Sequence, residues 1–113
     1  MISFTDVLIL IWMHCIIDYV FQSRKSAQTK HKDNVVLLGH CVIYSLPFFY
    51  FGWLFALVNG TLHFAVDYVT SRTNAKIFRK KKQITWAYVC VLGFDQLAHL
   101  TFLFLTYKWL VHP

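Results

Sequence analysis

The stretch HFAVDYVTSR, residues 63–72, decides the fold because it carries His63 and Asp67 inside an otherwise apolar run. Their spacing of four puts both side chains on one face of an α-helix, one turn apart. A histidine and an aspartate on one face of an apolar helix are hard to explain as packing alone. The stretch therefore predicts a helix with a polar face that is turned towards other parts of the chain.

The composition places this helix in a membrane protein. Of the 113 residues, 58% are hydrophobic and 14% are charged, and the mean hydropathy is +0.50. A soluble domain of this length needs more polar surface, because small domains have the most surface to cover. The sequence predicts one all-α domain over residues 1–113, a polytopic membrane protein with four transmembrane helices in one bundle.

Four apolar runs are long enough to cross the hydrocarbon core as helices. They cover residues of about 5–22, 34–51, 53–71 and 84–109. Nearly all Lys and Arg residues lie in two polar loops, 23–33 and 72–83, which is typical of loops that stay in the cytoplasm. We expect a protein of the bacterial inner (cytoplasmic) membrane with both termini outside. Because topology explains the net charge of +6, nucleic acid is not an expected partner.

Seven polar side chains lie inside these runs, and we interpret them as metal ligands. They are His14, Asp18, His40, His63, Asp67, Asp95 and His99. A charged aspartate at mid-membrane costs about 2.5–3.5 kcal/mol on insertion scales, so it must be paired, protonated or bound to a cation. Histidine and carboxylate form the ligand sets of zinc, manganese and iron sites. Seven ligands exceed the needs of one tetrahedral ion, so we expect two divalent ions that share a carboxylate, with zinc favoured.

Further residues are candidates for orienting the ligands or the substrate. They are Tyr44, Gln22, Gln96 and Arg72. Tyr44 follows His40 by four residues, so its hydroxyl is either a partner of that imidazole or part of an interfacial aromatic belt. Arg72 either binds a phosphate or anchors the topology of the basic loop. His31 and His112 are expected to be solvated, and the cysteines show no CxxC or metal-binding spacing.

The order of these motifs resembles a small bacterial and phage integral-membrane family known only as a domain of unknown function, DUF3307. The resemblance spans most of the chain and rests on HxxxDxxxQ, HxxxY, HxxxDYxxSR and DQxxH motifs. In this sequence they are His14, Asp18 and Gln22; His40 and Tyr44; His63, Asp67, Tyr68, Ser71 and Arg72; and Asp95, Gln96 and His99. The family implies no established activity. The chain is also loosely similar to membrane-bound metal-dependent hydrolases, which place histidines and aspartates in short helical bundles.

The leading interpretation is a metal-dependent hydrolase of a lipid-linked or phosphate-containing substrate, surrounded by membrane lipids. A metal ion with an open coordination position lowers the pKa of bound water to near neutrality, which supplies a nucleophile. The alternatives are an ion or proton conduit, a phage-type factor that alters the host membrane, and a purely structural metal site. Haem ligation by two histidines leaves the aspartates unexplained. The thin bundle leaves room for a homodimer.

Overall fold

The computed structural model describes residues 3–20 and 30–111, and of residues 19 and 20 it describes the backbone alone. Within these ranges all regular structure is helical, which confirms the predicted all-α class. Four helices follow one another, and three of them continue directly into a π or 3₁₀ segment. Helix α1 spans Phe4–Cys15 and continues as the π segment Ile16–Val20; α2 spans Asn34–Ser45 and continues as the 3₁₀ segment Leu46–Phe51; α3 spans Trp53–Lys81; α4 spans Trp86–Thr106 and continues as the π segment Tyr107–Val111.

Side-chain caps explain where three of these helices begin. Ser3 caps α1, Asp33 caps α2 and Thr85 caps α4, each accepting a hydrogen bond from a backbone N–H of the first turn. These bonds satisfy N–H groups that have no partner within the helix. Helix α3 begins differently, after Gly52, whose φ of 130° is a conformation that side chains with a Cβ rarely adopt.

Helix α3 is longer than the sequence predicted. It continues through most of the predicted basic loop, 72–83, and ends at Lys81. The next residue, Lys82, has a left-handed φ of 60°, and its N–H bonds to the carbonyl of Phe78 over 2.7 Å. The loop prediction is wrong over 72–81, because these residues have good helix propensities and their cations lie favourably at the negative end of the helix dipole.

Helix α3 lies between α2 and α4 and packs against both. At Gly60 the approach to α2 is close, because a Cβ added there would lie 3.1 Å from the Cβ of Ser45. A glycine at this point of the helix pair therefore allows the two backbones to approach. This contact brings the polar faces of α2 and α3 together on the side of the bundle that carries the predicted ligands.

The interior is divided into an apolar part and a polar part. The apolar core fills the part of the bundle nearest the turn between α2 and α3, and it consists of Leu10, Ile17, Tyr44, Phe48, Phe55, Ala56, Leu103 and Tyr107. The polar part lies towards the opposite end, where α3 carries its basic last turn. Asn59, one turn before His63 on α3, donates to Thr106 Oγ1 and to the carbonyl of Phe55 and so joins α3 to α4.

Many large apolar side chains lie on the surface of the bundle. Among the described residues, ten buried residues are hydrophobic and eleven are polar or charged, whereas large apolar side chains such as Trp53, Trp86 and Phe94 are exposed. Two of the helical segments, Asn34–Phe51 and Trp86–Val111, are long and apolar enough to cross a bilayer. An apolar outside around a polar inside is the opposite of the usual soluble arrangement.

Candidate metal centre

All seven residues predicted as ligands are buried, and together they form one His/Asp cluster. Each helix contributes to it. Helix α1 and its π segment carry His14 and Asp18; α2 carries His40; α3 carries His63 and Asp67; α4 carries Asp95 and His99. The repeated spacing of four explains why two members from one helix face the same interior. The π segment at Asp18 is of a kind that often occurs at functional sites.

Three ligand atoms in this cluster form a compact triangle. His40 Nε2 lies 3.1 Å from Asp18 Oδ1 and 3.0 Å from His63 Nε2, and His63 Nε2 lies 3.5 Å from Asp18 Oδ1. Tetrahedral zinc with bonds of about 2.0–2.1 Å separates neighbouring ligand atoms by about 3.3 Å. The triangle therefore has the dimensions of three ligands around one ion, with a fourth position to fill.

A second group of ligand atoms lies on the other side of Asp18. One ligand atom each from Asp18, Asp95 and His99 lies within 4.8 Å of the other two. His99 Nε2 is 3.1 Å from Asp95 Oδ1, yet this buried nitrogen has no hydrogen-bond partner among the described residues. These three side chains form a group that could hold a metal ion. Asp18 belongs to both groups.

His14 lies beside these groups with both of its ring nitrogens engaged. Its Nε2 is 2.7 Å from Gln96 Oε1, and its Nδ1 is 2.8 Å from the hydroxyl of Tyr44. An amide oxygen only accepts, so Nε2 carries the proton and Nδ1 accepts from the tyrosine. In this geometry both ring nitrogens of His14 have side-chain partners, and its role as a metal ligand stays a prediction.

Gln96 links the two groups from α4. Its Nε2 donates to Asp18 Oδ2 over 3.2 Å and to Asp95 Oδ2 over 3.0 Å, while its Oε1 accepts from His14. Both carboxylates are therefore held at one oxygen, and their other oxygens are turned towards the histidines. The amide thus contacts three of the seven predicted ligands, and its role in orienting them stays a prediction.

Tyr44 is buried at the boundary between the apolar core and the His/Asp cluster. Its ring stacks on His63 with centroids 4.0 Å apart, and its hydroxyl donates to His14 rather than to His40. The prediction of a partner for His40 is wrong, because the side chain at this position of α2 points to α1. The interfacial alternative is wrong as well, because a side chain that is 1% exposed does not reach an interface.

Asp67 occupies an outer position of the cluster and has a partner that the sequence did not indicate. Its Oδ2 is 3.7 Å from His40 Nε2 and 3.8 Å from His63 Nε2, and it accepts from Lys30 Nζ over 2.8 Å. Lys30 lies just before α2 in a polar segment with several other cations, and nothing in its spacing distinguishes it from them. Thr70 was also missed; its hydroxyl donates to Asp95 Oδ1 over 2.5 Å.

The remaining predicted residues lie away from the cluster or outside the described ranges. Arg72 Nη2 donates to Asn34 Oδ1 over 2.5 Å, and its guanidinium lies 3.6 Å from the centroid of the Tyr68 ring. These contacts hold Arg72 on the surface between α2 and α3, and its role as an anchor or as a phosphate ligand stays a prediction. Gln22 and His112 lie outside the residues that the structure describes.

A cavity of about 580 Å³ adjoins the His/Asp cluster. Asp18, Asp67, Asp95 and Gln96 form its polar floor, and its walls include Lys30, His31, Ser71, Asn74, Phe78, Tyr88 and Leu92. Its volume is within the range of small-molecule sites, about 300–1,000 Å³. The cavity gives a molecule from outside a route to the carboxylates of both groups.

His31 lines this cavity, which corrects the expectation that it is only a solvated residue. Partial burial, together with the neighbouring cations Lys32, Arg72 and Arg79, lowers the pKa of His31 below its ordinary value. The imidazole is therefore neutral at pH 7. It contributes a hydrogen-bonding group to the cavity wall and no charge.

Fold and site together define an all-α protein with a buried His/Asp cluster that is suited to metal binding. The chain belongs to the family described as "Protein of unknown function (DUF3307)", whose family model matches residues 7–113. The match confirms the resemblance seen in the motif order. Comparison with curated proteins and with solved structures found no match.

Proposed function

We propose that this chain is an integral membrane protein with four spans that binds two divalent metal ions and hydrolyses a lipid-linked or phosphate-containing substrate. The observation that carries the proposal is the position of Asp18 between two groups of ligand atoms, at the floor of a cavity. A carboxylate shared by two ions about 3.5–4 Å apart is the arrangement of many two-metal hydrolytic sites.

The apolar outer surface supports the membrane assignment. Helices α2 and α4 have the length and composition of membrane spans, and exposed apolar side chains also occur on α1 and α3, among them Trp12 and Leu57. The cations Lys30 and Lys32 and the last turn of α3 gather at one end of the bundle. By the positive-inside rule this end faces the cytoplasm, so the cavity opens towards the cytoplasmic leaflet.

The charges of the cavity floor support a bound cation. Asp18, Asp67 and Asp95 are buried carboxylates, and Lys30 is the only Lys or Arg side chain within 4 Å of them among the described residues. With three carboxylates and one ammonium group, the floor has an excess of two negative charges. Buried charges without partners are costly, and more so inside a membrane. Two divalent cations would remove this excess and leave the floor positive.

The donor set determines which ions fit and what they would do. Imidazole nitrogen with carboxylate oxygen is typical of zinc, and manganese and iron are also compatible with it. When bound, such ions supply an activated water and polarise a phosphoryl or carbonyl oxygen. The protein's own residues would hold the ligands in position. Gln96 bonds to two carboxylates and to His14, and His14 in turn accepts from Tyr44.

An ion or proton conduit, the alternative from the sequence, finds less support in the described part of the chain. A conduit needs a polar path through both halves of the bundle. Between the His/Asp cluster and the turn joining α2 and α3, the interior is filled by the apolar core, including Leu10, Phe48 and Phe55, which are at most 1% exposed. A cavity that is open at one end suits a substrate better than a transported ion.

Elemental analysis and turnover test the proposal together. We expect detergent-purified protein to hold about two equivalents of zinc, manganese or iron. His63→Ala should lose the ion held by Asp18, His40 and His63. His31→Ala, which removes a histidine of the cavity wall outside the ligand groups, is the matched control and should retain its metal. The metal-loaded protein is then screened on lipid phosphomonoesters, phosphodiesters and lipid-linked diphosphates. Protein purified without chelator that holds no stoichiometric metal would overturn the proposal.

A further inference from the structure

The wall of the cavity above the carboxylate floor carries polar atoms that have no partner. Asn74 is 5% exposed, lines the cavity, and its Oδ1 has no hydrogen-bond partner among the described residues. The buried hydroxyl oxygen of Ser71, one turn earlier on α3, is also unpartnered. Buried polar groups normally have partners, so two such groups facing one cavity indicate a ligand that completes them.

These atoms can act as donors on one side of the cavity. A hydroxyl turns freely, and an amide can present either its NH₂ or its oxygen by rotating end for end. Lys30 lines the same cavity, and its ammonium group, which donates to Asp67 over 2.8 Å, has two further N–H groups to offer. Three donors, one of them charged, are suited to the oxygens of a phosphate group.

Part of the cavity wall is apolar and reaches the outside of the bundle. Phe78, Tyr88 and Leu92 line the cavity from α3 and α4, and Phe78 and Leu92 are 46% and 43% exposed. The same side chains thus belong both to the cavity and to the apolar outer surface. A hydrocarbon chain that passes Phe78 and Leu92 would therefore stay in contact with apolar side chains.

From this arrangement we infer that the cavity is a headgroup site for a phosphate-bearing amphiphile, with Lys30, Ser71 and Asn74 as its specificity-determining residues. The phosphate lies against the three donors, and the hydrocarbon chain leaves past Phe78 and Leu92. The inference rests on the proposed function, because the metal-free floor has an excess of negative charge and repels an anion. Binding of the phosphate group therefore depends on bound metal.

The test uses ligands that the protein cannot hydrolyse at phosphorus. Dodecylphosphonate carries the headgroup and a chain, methylphosphonate carries the headgroup alone, and dodecanol carries a chain alone. We would titrate each into the full-length, metal-loaded protein in detergent by calorimetry. Dodecylphosphonate is expected to bind more tightly than the other two probes. Equal affinity for methylphosphonate would overturn the amphiphile in favour of free phosphate, and equal affinity for dodecanol would overturn the headgroup site.

Variants locate the site within the cavity. Ser71→Ala and Asn74→Ala each remove a donor and are expected to weaken dodecylphosphonate binding about tenfold, the effect of one hydrogen bond to a charged group. Thr73→Ala on the outer face of α3, whose hydroxyl bonds only to the carbonyl of Val69 among the described residues, is the control. Leu92→Ser should weaken binding of dodecylphosphonate and leave methylphosphonate unchanged.

The outcomes separate the headgroup site from the proposed function. Metal-loaded Ser71→Ala and Asn74→Ala proteins that bind dodecylphosphonate as the parent does would overturn the headgroup site and leave the hydrolase proposal standing. A protein that holds no metal and still binds dodecylphosphonate through Ser71 and Asn74 would overturn the hydrolase and the metal dependence of binding, and would leave the headgroup site standing. A protein that holds no metal and binds no phosphonate would overturn both.

Discussion

His40 Nε2 and His63 Nε2 face each other across 3.0 Å, although they come from different helices. In two neutral imidazoles, one of these nitrogens must be protonated for the contact to be favourable, whereas a cation between them satisfies both lone pairs. Asp18 Oδ1 lies 3.1 Å from the first nitrogen and 3.5 Å from the second. The three atoms therefore form a group that could hold a metal ion.

The shared position of Asp18 predicts a difference between two similar substitutions. Asp18→Asn should remove both ions, because the carboxylate belongs to both groups, whereas Asp95→Asn should leave about one equivalent bound at His40 and His63. Elemental analysis of the purified variants, with circular dichroism to check the helices, measures the difference. Equal metal content in the two variants would contradict a shared carboxylate.

Tyr44 is predicted to contribute to stability and not to metal content. Tyr44→Phe keeps the ring on His63 and removes the hydroxyl that donates to His14 Nδ1. A buried acceptor without its donor costs about 1–3 kcal/mol, so the free energy of unfolding should fall by this amount. Denaturant titration in detergent provides the measurement.

The matched control for this substitution is Tyr50→Phe, which removes a hydroxyl from a side chain that is 86% exposed. It should leave the free energy of unfolding unchanged. The amount of bound metal should stay at the parental level in both proteins. Loss of metal from Tyr44→Phe would show that the hydroxyl also stabilises the metal site.

Much of the site could be predicted from the spacing of a few residues. Pairs four apart, such as His63 with Asp67, can only be brought to one face by a helix, and polar faces in an apolar chain must meet. That argument found all seven members of the buried cluster. The partners of each histidine nitrogen were not predictable, because they depend on which neighbouring side chain reaches that nitrogen. His14, with Tyr44 at one nitrogen and Gln96 at the other, is an example.

The misses have physical causes as well. Steps of exactly four drift around a helix of 3.6 residues per turn, so the polar face beyond Asp67 continues through Thr70 and Asn74 as well as through Ser71. All three line the cavity. Alternating steps of three and four residues along the helix, counted from Asp67, would have placed Thr70 and Asn74 on the polar face. Lys30 had no such signal, because its segment contains several cations and nothing in the sequence distinguishes Lys30 from the others.

The pairing of Lys30 with Asp67 predicts an effect on the metal-free protein. Lys30→Met keeps the length of the side chain and removes its charge, so Asp67 loses the cation 2.8 Å away. Without metal, the uncompensated buried carboxylate should lower the melting temperature. Added zinc should then raise the melting temperature by more than in the parent, because the ion supplies a positive charge near Asp67 that the variant lacks.

Lys81→Met, at the basic end of α3, is the control for the Lys30 substitution. It should show the parental melting temperature both without and with zinc. A metal-free Lys30→Met protein that is as stable as the parent would mean that Asp67 is protonated in the absence of metal, and the ion pair would then have no role in the fold.

The contact between α2 and α3 predicts that alanine substitutions at two glycines differ in their effect on the free energy of unfolding. A Cβ at Gly60 would lie 3.1 Å from Ser45 Cβ, a rigid part of the neighbouring helix, whereas a Cβ at Gly39 would meet no atom within 4 Å. Gly39→Ala should stabilise by up to about 1 kcal/mol through helix propensity. Gly60→Ala should be less stable than Gly39→Ala, because α2 must move for the methyl group to fit. Equal unfolding free energies would show that the approach of the two helices is not constrained at Gly60.

The proposed four-span arrangement predicts which ends of the bundle can be labelled from each side of the membrane. In a background with Cys15, Cys41 and Cys90 replaced by alanine, Tyr50→Cys lies in the turn between α2 and α3, and Gln83→Cys lies in the turn between α3 and α4. Because the basic end is expected in the cytoplasm, an impermeant maleimide should label Tyr50→Cys in intact spheroplasts and Gln83→Cys only after permeabilisation. Labelling of both sites in intact spheroplasts would contradict a spanning α3, since one crossing of this helix must separate them. The reverse pattern would place the cavity, and any amphiphile that it binds, at the outer leaflet.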